Sequence, residues 1–168
     1  MMTSFSPRAL KIAVAVAAAL SIAACSKADQ TGGTDMAGVG GRGGPPGSPG
    51  DFAVNVGDRV FFESDSTELT STSITTLDNQ AAWLTRYPRY TFQIEGHADE
   101  RGTREYNFSL GARRAQVVRD YLASRGIAGS RIRTVSYGKE RPVATCNDIS
   151  CWSQNRRAVT VLDGGAGM

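Results

Sequence analysis

A segment rich in glycine and proline divides this chain and restricts where it can fold. Residues 26–50 contain nine glycines and three prolines, with few side chains large enough to bury. Such a segment cannot offset the conformational entropy lost on ordering, so we expect a flexible tether. The information for a folded core must then lie in residues 51–168, which is a suitable length for one domain.

The residues before the tether have the pattern of an export signal that ends at a modified cysteine. Arg8 and Lys11 flank the start of an uncharged, alanine-rich run, residues 12–24, which is short for a membrane span. Small residues lead into Cys25, whose thiol can accept a diacylglyceryl group, and this pattern resembles the bacterial lipobox. We therefore expect a lipoprotein signal peptide at 1–24 and lipidation of Cys25 at the start of a tether over 25–50. An ordinary signal peptide that happens to meet a cysteine is the alternative.

Charge and cysteine content narrow the possible partners. Loss of residues 1–24 removes two basic residues and no acidic one, so the formal net charge falls from +3 to +1. That balance disfavours a nucleic-acid partner. Export leads to an oxidising compartment, where Cys146 and Cys151 form an even pair once Cys25 carries lipid. We expect a structural disulfide between these two, with metal binding or redox exchange as the less favoured alternatives.

The folded part alternates between strand and helix patterns. Apolar residues at a spacing of three or four predict two helices, and alternating or continuous short apolar runs predict four strands. The second helix should stop at Gly126. This order predicts an α/β (α+β) two-layer sandwich, in which helices pack on a small mixed β-sheet. The predicted helices cover residues 71–87 and 103–125, and the predicted strands cover 59–62, 90–95, 131–137 and 157–162.

The second predicted helix carries a charge on its apolar face. Arg114 lies in one stripe with Leu110, and Asn107 points the same way. A buried charge needs a partner, and Asp99, in the loop before the helix, is the nearest acidic candidate. These four residues would line the edge of a cleft that suits a ligand with both an ammonium and a carboxylate, such as the end of diaminopimelate. Alternatively, Asp99 and Arg114 pair with each other for stability.

Several ordered motifs resemble those of a known family. The run 96–103, Gly-His-Ala-Asp-Glu-Arg-Gly-Thr, is followed by Tyr-Asn at 106–107 and Arg-Arg-Ala at 113–115. Together these motifs resemble the OmpA-like peptidoglycan-binding domain. Val-Ser-Tyr-Gly-Lys-Glu at 135–140 and Asn-Arg-Arg-Ala-Val at 155–159 are similar to its peptidoglycan-associated lipoprotein (Pal) branch.

The resemblance implies roles for particular residues. It assigns the diaminopimelate of peptidoglycan stem peptides to Asp99 and Arg114, with Asn107 and Leu110 as the accompanying asparagine and leucine. A position on the first strand that is usually aromatic or apolar in the branch is Ser64 here. We therefore predict Phe62 as the contact from that strand.

The resemblance also implies partners and a location. It predicts association with the Tol proteins, chiefly TolB, in the envelope and cell-division system. Ser26 follows the lipidated cysteine in place of an aspartate, which favours a lipid anchor in the outer membrane with the domain in the periplasm. An OmpA-like lipoprotein that serves another envelope machine is an alternative.

The sequence predicts no enzyme, cofactor or metal site. His97 has no second nitrogen or thiolate ligand at a supporting spacing, so we expect a hydrogen-bonded structural histidine. A cell-wall hydrolase that uses Asp99 and Glu100 is the rival from another functional class. Adjacent loop carboxylates usually point apart, and Arg114 nearby should keep Asp99 ionised, which is unsuitable for a general acid.

Overall fold

The computed structural model describes residues 43–163 of the chain. The predicted signal peptide, the lipidation site at Cys25 and most of the predicted tether lie outside the described residues. Within residues 43–163, no helix is both long enough and apolar enough to cross a membrane.

The described residues form one mixed four-stranded sheet with helices against it. The strands run in the spatial order β1-β4-β2-β3; β2 and β3 are parallel, whereas β4 pairs antiparallel with both β1 and β2. Four α-helices accompany them, and the predicted two-layer fold is confirmed. The strands are β1 (Arg59–Phe61), β2 (Phe92–His97), β3 (Ile132–Gly138) and β4 (Arg157–Leu162), and the helices are α1 (Pro49–Asp51), α2 (Ser71–Arg86), α3 (Arg104–Ser124) and α4 (Ile149–Asn155).

Local sequence signals explain the bounds of the two long helices. The side chain of Thr70 caps α2 and that of Thr103 caps α3, each accepting a hydrogen bond from a backbone N–H in the first turn. Gly126 follows α3 with φ at +93°, a conformation that few side chains tolerate. The buried sides of α2, α3 and the sheet share one core, whose fully buried members include Leu77, Leu84, Phe92, Ile94 and Leu122.

Two glycines let α3 lie very close to the sheet. A Cβ on Gly111 would come within 2.5 Å of Ser136 Oγ and 2.8 Å of the Gly96 carbonyl oxygen. A Cβ on Gly96 would come within 1.8 Å of the Gly111 oxygen. Since α3 packs across both β2 and β3, this close approach fixes how the side chains one turn further along, including Arg114, meet the end of β2.

The structure moves the start of the domain to before Asp51. The Gly47 carbonyl accepts hydrogen bonds from the Tyr90 hydroxyl at 2.8 Å and from Arg89 at 2.7 Å, and Ser48 caps α1. The predicted tether boundary at residue 50 is therefore wrong for residues 43–50. Gly47 contributes its backbone and has no room for a side chain: a Cβ at this position would meet the Tyr87 ring at 2.5 Å.

The described residues contain three helical segments outside the predicted helices: α1 with the turn that follows it, the 3-10 turn Gly129–Arg131, and α4. Helix α1 continues into a π-helical turn, Phe52–Gly57, whose Phe52 is 1% exposed and packs 4.9 Å from the Trp83 ring, centroid to centroid. Helix α4 precedes β4, in a stretch for which neither a helix nor a strand is predicted, and Asp148 caps it.

Candidate functional site

Asp99 lies just beyond the carboxyl end of β2 and is held by two arginines. Its carboxylate accepts hydrogen bonds from Arg101 Nε at 3.1 Å and Nη2 at 2.7 Å, and from Arg156 Nη1 at 3.3 Å. Burial alone would raise the pKa of the Asp99 carboxyl, but the hydrogen bonds from Arg101 and Arg156 outweigh it and hold that pKa below its usual value. Asp99 is thus ionised. It pairs directly with Arg101 and Arg156 and not with Arg114.

Arg114 is completely buried and is held by backbone carbonyls. Its guanidinium donates to the oxygens of His97 at 2.8 Å, Ser66 at 2.9 Å and Glu63 at 3.1 Å. Burial, with the nearby charge of Arg156, lowers the pKa of Arg114 to about 10, so the group stays charged at neutral pH. A guanidinium has five N–H donors, so these three carbonyls do not use all of them.

The other predicted site residues surround this pair. Asn107 is 2% exposed, and its side-chain amide donates to the Arg101 carbonyl at 2.6 Å, which fixes the loop that carries Asp99. Leu110, one turn further along α3, is 4% exposed. Phe62 is 3% exposed within the hydrophobic core, with its ring centroid 5.1 Å from the Arg114 guanidinium carbon. The structure shows Phe62 supporting Arg114, and its contact with a ligand stays a prediction.

Four further residues complete the site, and none of them is among the predicted site residues. Arg101 lies over the Trp152 ring at 4.3 Å, and Trp152 belongs to the unexpected helix α4. Asp65 has φ at +55° and accepts a hydrogen bond from the Tyr106 hydroxyl. Arg156 lay within the motif at 155–159, but only the fold places it on Asp99. Arg101 likewise lies within the motif at 96–103, but its contact with Asp99 is not among the predictions. No sequence signal points to Asp65 or Trp152, because their contacts span 41 and 51–52 positions of the chain.

The site holds charges of both signs. The guanidinium groups of Arg101 and Arg156 bind the Asp99 carboxylate, and the charges of Asp99 and Asp65 partly offset the lowering of the Arg114 pKa. The hydrogen bond to Asp99 and the charge of Glu100 raise the pKa of Arg101. Such a mixture suits a ligand that carries both an ammonium and a carboxylate. An ionised Asp99 is the wrong form for a general acid, which argues against the hydrolase alternative.

The ring of His97 does not form the predicted hydrogen bonds. It is 2% exposed, yet among the described residues neither ring nitrogen has a hydrogen-bond partner, so the expected hydrogen-bonded histidine is wrong. Its Nε2 lies 3.8 Å from a Glu95 oxygen. Burial lowers the pKa of His97 to about 4, and the charges of Arg157 and Arg141 act in the same direction.

The two cysteines near α4 form a disulfide. Cys146 and Cys151 are bonded, with their Cα atoms 5.6 Å apart. Asp148 lies close to both sulfurs, but disulfide sulfurs are not thiolate ligands for a metal.

Comparisons with known proteins agree with this architecture. The OmpA family model matches residues 61–156. A peptidoglycan-associated lipoprotein of Rhizobium meliloti is 59% identical over 157 residues, covering 93% of this chain and 89% of the relative. The protein of that name from Pseudomonas aeruginosa is 42% identical over 156 residues, covering 91% of this chain and 92% of its own.

Solved structures share the fold. The crystal structure of the peptidoglycan-associated lipoprotein from Burkholderia pseudomallei has a TM-score of 0.65 and 36% identity, covering 69% of this chain and 100% of that one. The C-terminal domain of Helicobacter pylori MotB has a TM-score of 0.60 at 22% identity, covering 65% of this chain and 86% of that one, and shows the fold alone.

A mixed sheet backed by two long helices, with an aspartate–arginine site at the end of β2, defines the OmpA-like class of domains. The chain belongs to the OmpA family and, within it, to the peptidoglycan-associated lipoproteins.

Proposed function

We propose that this protein is an outer-membrane lipoprotein that binds peptidoglycan noncovalently and so anchors the membrane to the cell wall. Its relatives over nine-tenths of the chain carry the name peptidoglycan-associated lipoprotein. The lipobox-like pattern before Cys25 supports the lipid anchor, and Ser26 supports sorting to the outer membrane. The domain would lie in the periplasm, within reach of the wall.

The ligand we propose is the diaminopimelate end of a stem peptide. The observation that carries this proposal is Arg114, a fully buried cation whose hydrogen-bond partners among residues 43–163 are neutral carbonyls. An uncompensated buried charge is costly, and a ligand carboxylate would neutralise it through a charge-assisted hydrogen bond. Asp99 would receive the ligand ammonium, with Asn107 adding hydrogen bonds and Leu110 an apolar wall.

Sedimentation of the full chain, purified in detergent, with isolated peptidoglycan sacculi tests this proposal. We expect wild type to pellet, and Asp99→Asn and Arg114→Lys to lose about tenfold or more in affinity, since each removes one charge-assisted contact or its fork geometry. Asp163→Asn and Arg133→Lys are matched controls, because this ion pair lies at the opposite end of the sheet. Both controls should bind as wild type does.

The possible outcomes distinguish the proposal that the protein binds peptidoglycan from the proposal that Asp99 and Arg114 form the binding site. Wild type that stays in solution contradicts peptidoglycan binding itself. Wild type and both site variants pelleting alike would leave the binding intact and contradict only the assignment of Asp99 and Arg114. Circular dichroism of each variant establishes that it is folded.

We further propose that the protein works with the Tol proteins, chiefly TolB, in the envelope and cell-division system. This rests on the resemblance in the motifs at 135–140 and 155–159. The likeness to a MotB domain shows that the fold also occurs outside that system. Binding of purified TolB to the immobilised full chain tests the partnership; no binding at micromolar TolB would favour a different envelope machine.

A further inference from the structure

Arg101 occupies the position that a cationic ligand group would need at Asp99. Oδ1 of Asp99 accepts from the backbone N–H of Arg101 at 3.2 Å and from its Nε at 3.1 Å. Oδ2 accepts from Nη2 of Arg101 at 2.7 Å and from Nη1 of Arg156 at 3.3 Å. A carboxylate offers about four acceptor positions, so this one is fully used. An incoming ammonium can bind Asp99 only if a present donor withdraws.

Of these donors, the Arg101 side chain is the one free to move. It is 43% exposed, whereas the side chain of Arg156 is 5% exposed and also bonds to the Phe62 carbonyl. What holds Arg101 in place besides Asp99 is the Ser64 hydroxyl, at 2.8 Å from Nη2, and the Trp152 ring, at 4.3 Å from the guanidinium carbon. A cation over the face of an indole is the stronger form of the cation–π interaction.

Trp152 is itself fixed from two directions. Its Nε1 donates to Glu100 Oε1 at 2.5 Å, which ties it to the loop that carries Asp99 and Arg101. Its neighbour Cys151 is joined to Cys146 by the disulfide, across the start of α4. The covalent bridge therefore restrains the helix that presents the indole to Arg101.

We propose that Arg101 is a built-in competitor for the cationic group of the ligand, and that Trp152, restrained by the disulfide, is the positioning residue that keeps this competitor on Asp99. The proposal rests on the proposed function, in which Asp99 receives the ligand ammonium. A partly exposed ion pair and one cation–π contact are each weak, so removing the competitor should strengthen binding by about 5-fold.

Binding constants of the full chain for sacculi, measured by quantitative sedimentation, test the competition. We expect Arg101→Gln and Trp152→Leu each to bind about 5-fold more tightly than wild type. The double variant of Arg101 and Trp152 should gain nothing further, because in this proposal Trp152 affects ligand binding by holding Arg101. Cys146→Ser with Cys151→Ser should show a smaller gain in the same direction. Phe108→Leu, which changes an exposed aromatic residue outside the site, should bind as wild type does.

A second measurement tests, without any ligand, whether Trp152 holds the Arg101 side chain in place. In NMR spectra, the Arg101 Nε–H should exchange with solvent faster in Trp152→Leu and in the cysteine double variant than in wild type. Unchanged exchange would overturn the positioning role of Trp152. If wild type pellets but Arg101→Gln and Trp152→Leu bind equally or more weakly, only the competitor is overturned. If wild type stays in solution, the proposed function fails, and the competition fails with it.

Discussion

A fully buried arginine is stable here because the backbone supplies its partners. The three carbonyls that Arg114 joins belong to the segment after β1 and to the last residue of β2, so one side chain ties two parts of the chain together. These carbonyls would lose their donors if the guanidinium were removed. The residue therefore stabilises the fold as well as the site.

We expect Arg114→Ala to lower the free energy of unfolding by about 3 kcal/mol or more, because each buried acceptor left unpaired costs roughly 1–3 kcal/mol. Arg114→Lys, which keeps a donor, should lose less. Urea denaturation of the two variants beside wild type measures both values. Equal midpoints for Arg114→Ala and wild type would contradict this role.

His97 should make the domain sensitive to mild acid. The pKa of His97 is lowered from 6.5 to about 4, so the unfolded chain takes up a proton at a higher pH than the folded one. The free energy of unfolding should then fall as the pH drops from about 6.5 towards 4, and level off with respect to this group below 4. Asp99 and Asp51, with pKa values lowered from 3.8, lose their stabilising effect only at more acidic pH.

Urea denaturation between pH 7 and pH 4.5 measures this dependence. In His97→Gln the slope over that range should be flatter than in wild type, because glutamine takes up no proton. The same slope in both proteins would show that another group titrates.

At the level of elements, periodicity predicted the parts of the fold that bury a continuous apolar side. Helix α2 and the strands bury apolar residues at regular spacing, and α3 does so apart from Asn107 and Arg114 on its buried side. Helix α4 does not: Ile149 is 64% exposed, and Asn155 is buried while bonding to the backbone of Val143 and Ala144. Helix α4 is held by the Asp148 cap, the disulfide and the hydrogen bonds of Asn155. These features leave no periodic apolar pattern in the sequence, so periodicity could not predict this helix.

The same reasoning explains which site residues could be predicted. Asn107, Leu110 and Arg114 share a face of one helix, so their spacing placed them together. Two other contacts could not be found in this way: Arg156, which bonds to Asp99, is 57 positions away along the chain, and Trp152 reaches Arg101 through α4. Only the folded sheet brings these residues to one end.

The segment before Asp51 should contribute to the stability of the domain. A chain that begins at residue 51 lacks the Gly47 carbonyl that pairs with the buried Tyr90 hydroxyl and with Arg89. We expect it to be less stable than a chain that begins at residue 43 by about 2 kcal/mol, the contribution of two such hydrogen bonds. Denaturant midpoints of the two chains measure the difference. Identical midpoints would mean that residues 43–50 add nothing.

At the scale of the whole molecule, the two ends of β2 have different neighbours. The strand begins beside Tyr90, where the Gly47 carbonyl docks, and it ends at His97, two residues before Asp99. In the proposed anchor, the tether to the membrane leaves near the start of β2 and the peptidoglycan binds near its end. A force between membrane and wall would therefore act along β2. The hydrogen bonds from β2 to β3 and β4 run across the direction of a force along β2, so they all resist the sliding of β2 at the same time. The domain can therefore bear tension along β2, whereas a force at an edge strand would break such bonds one after another.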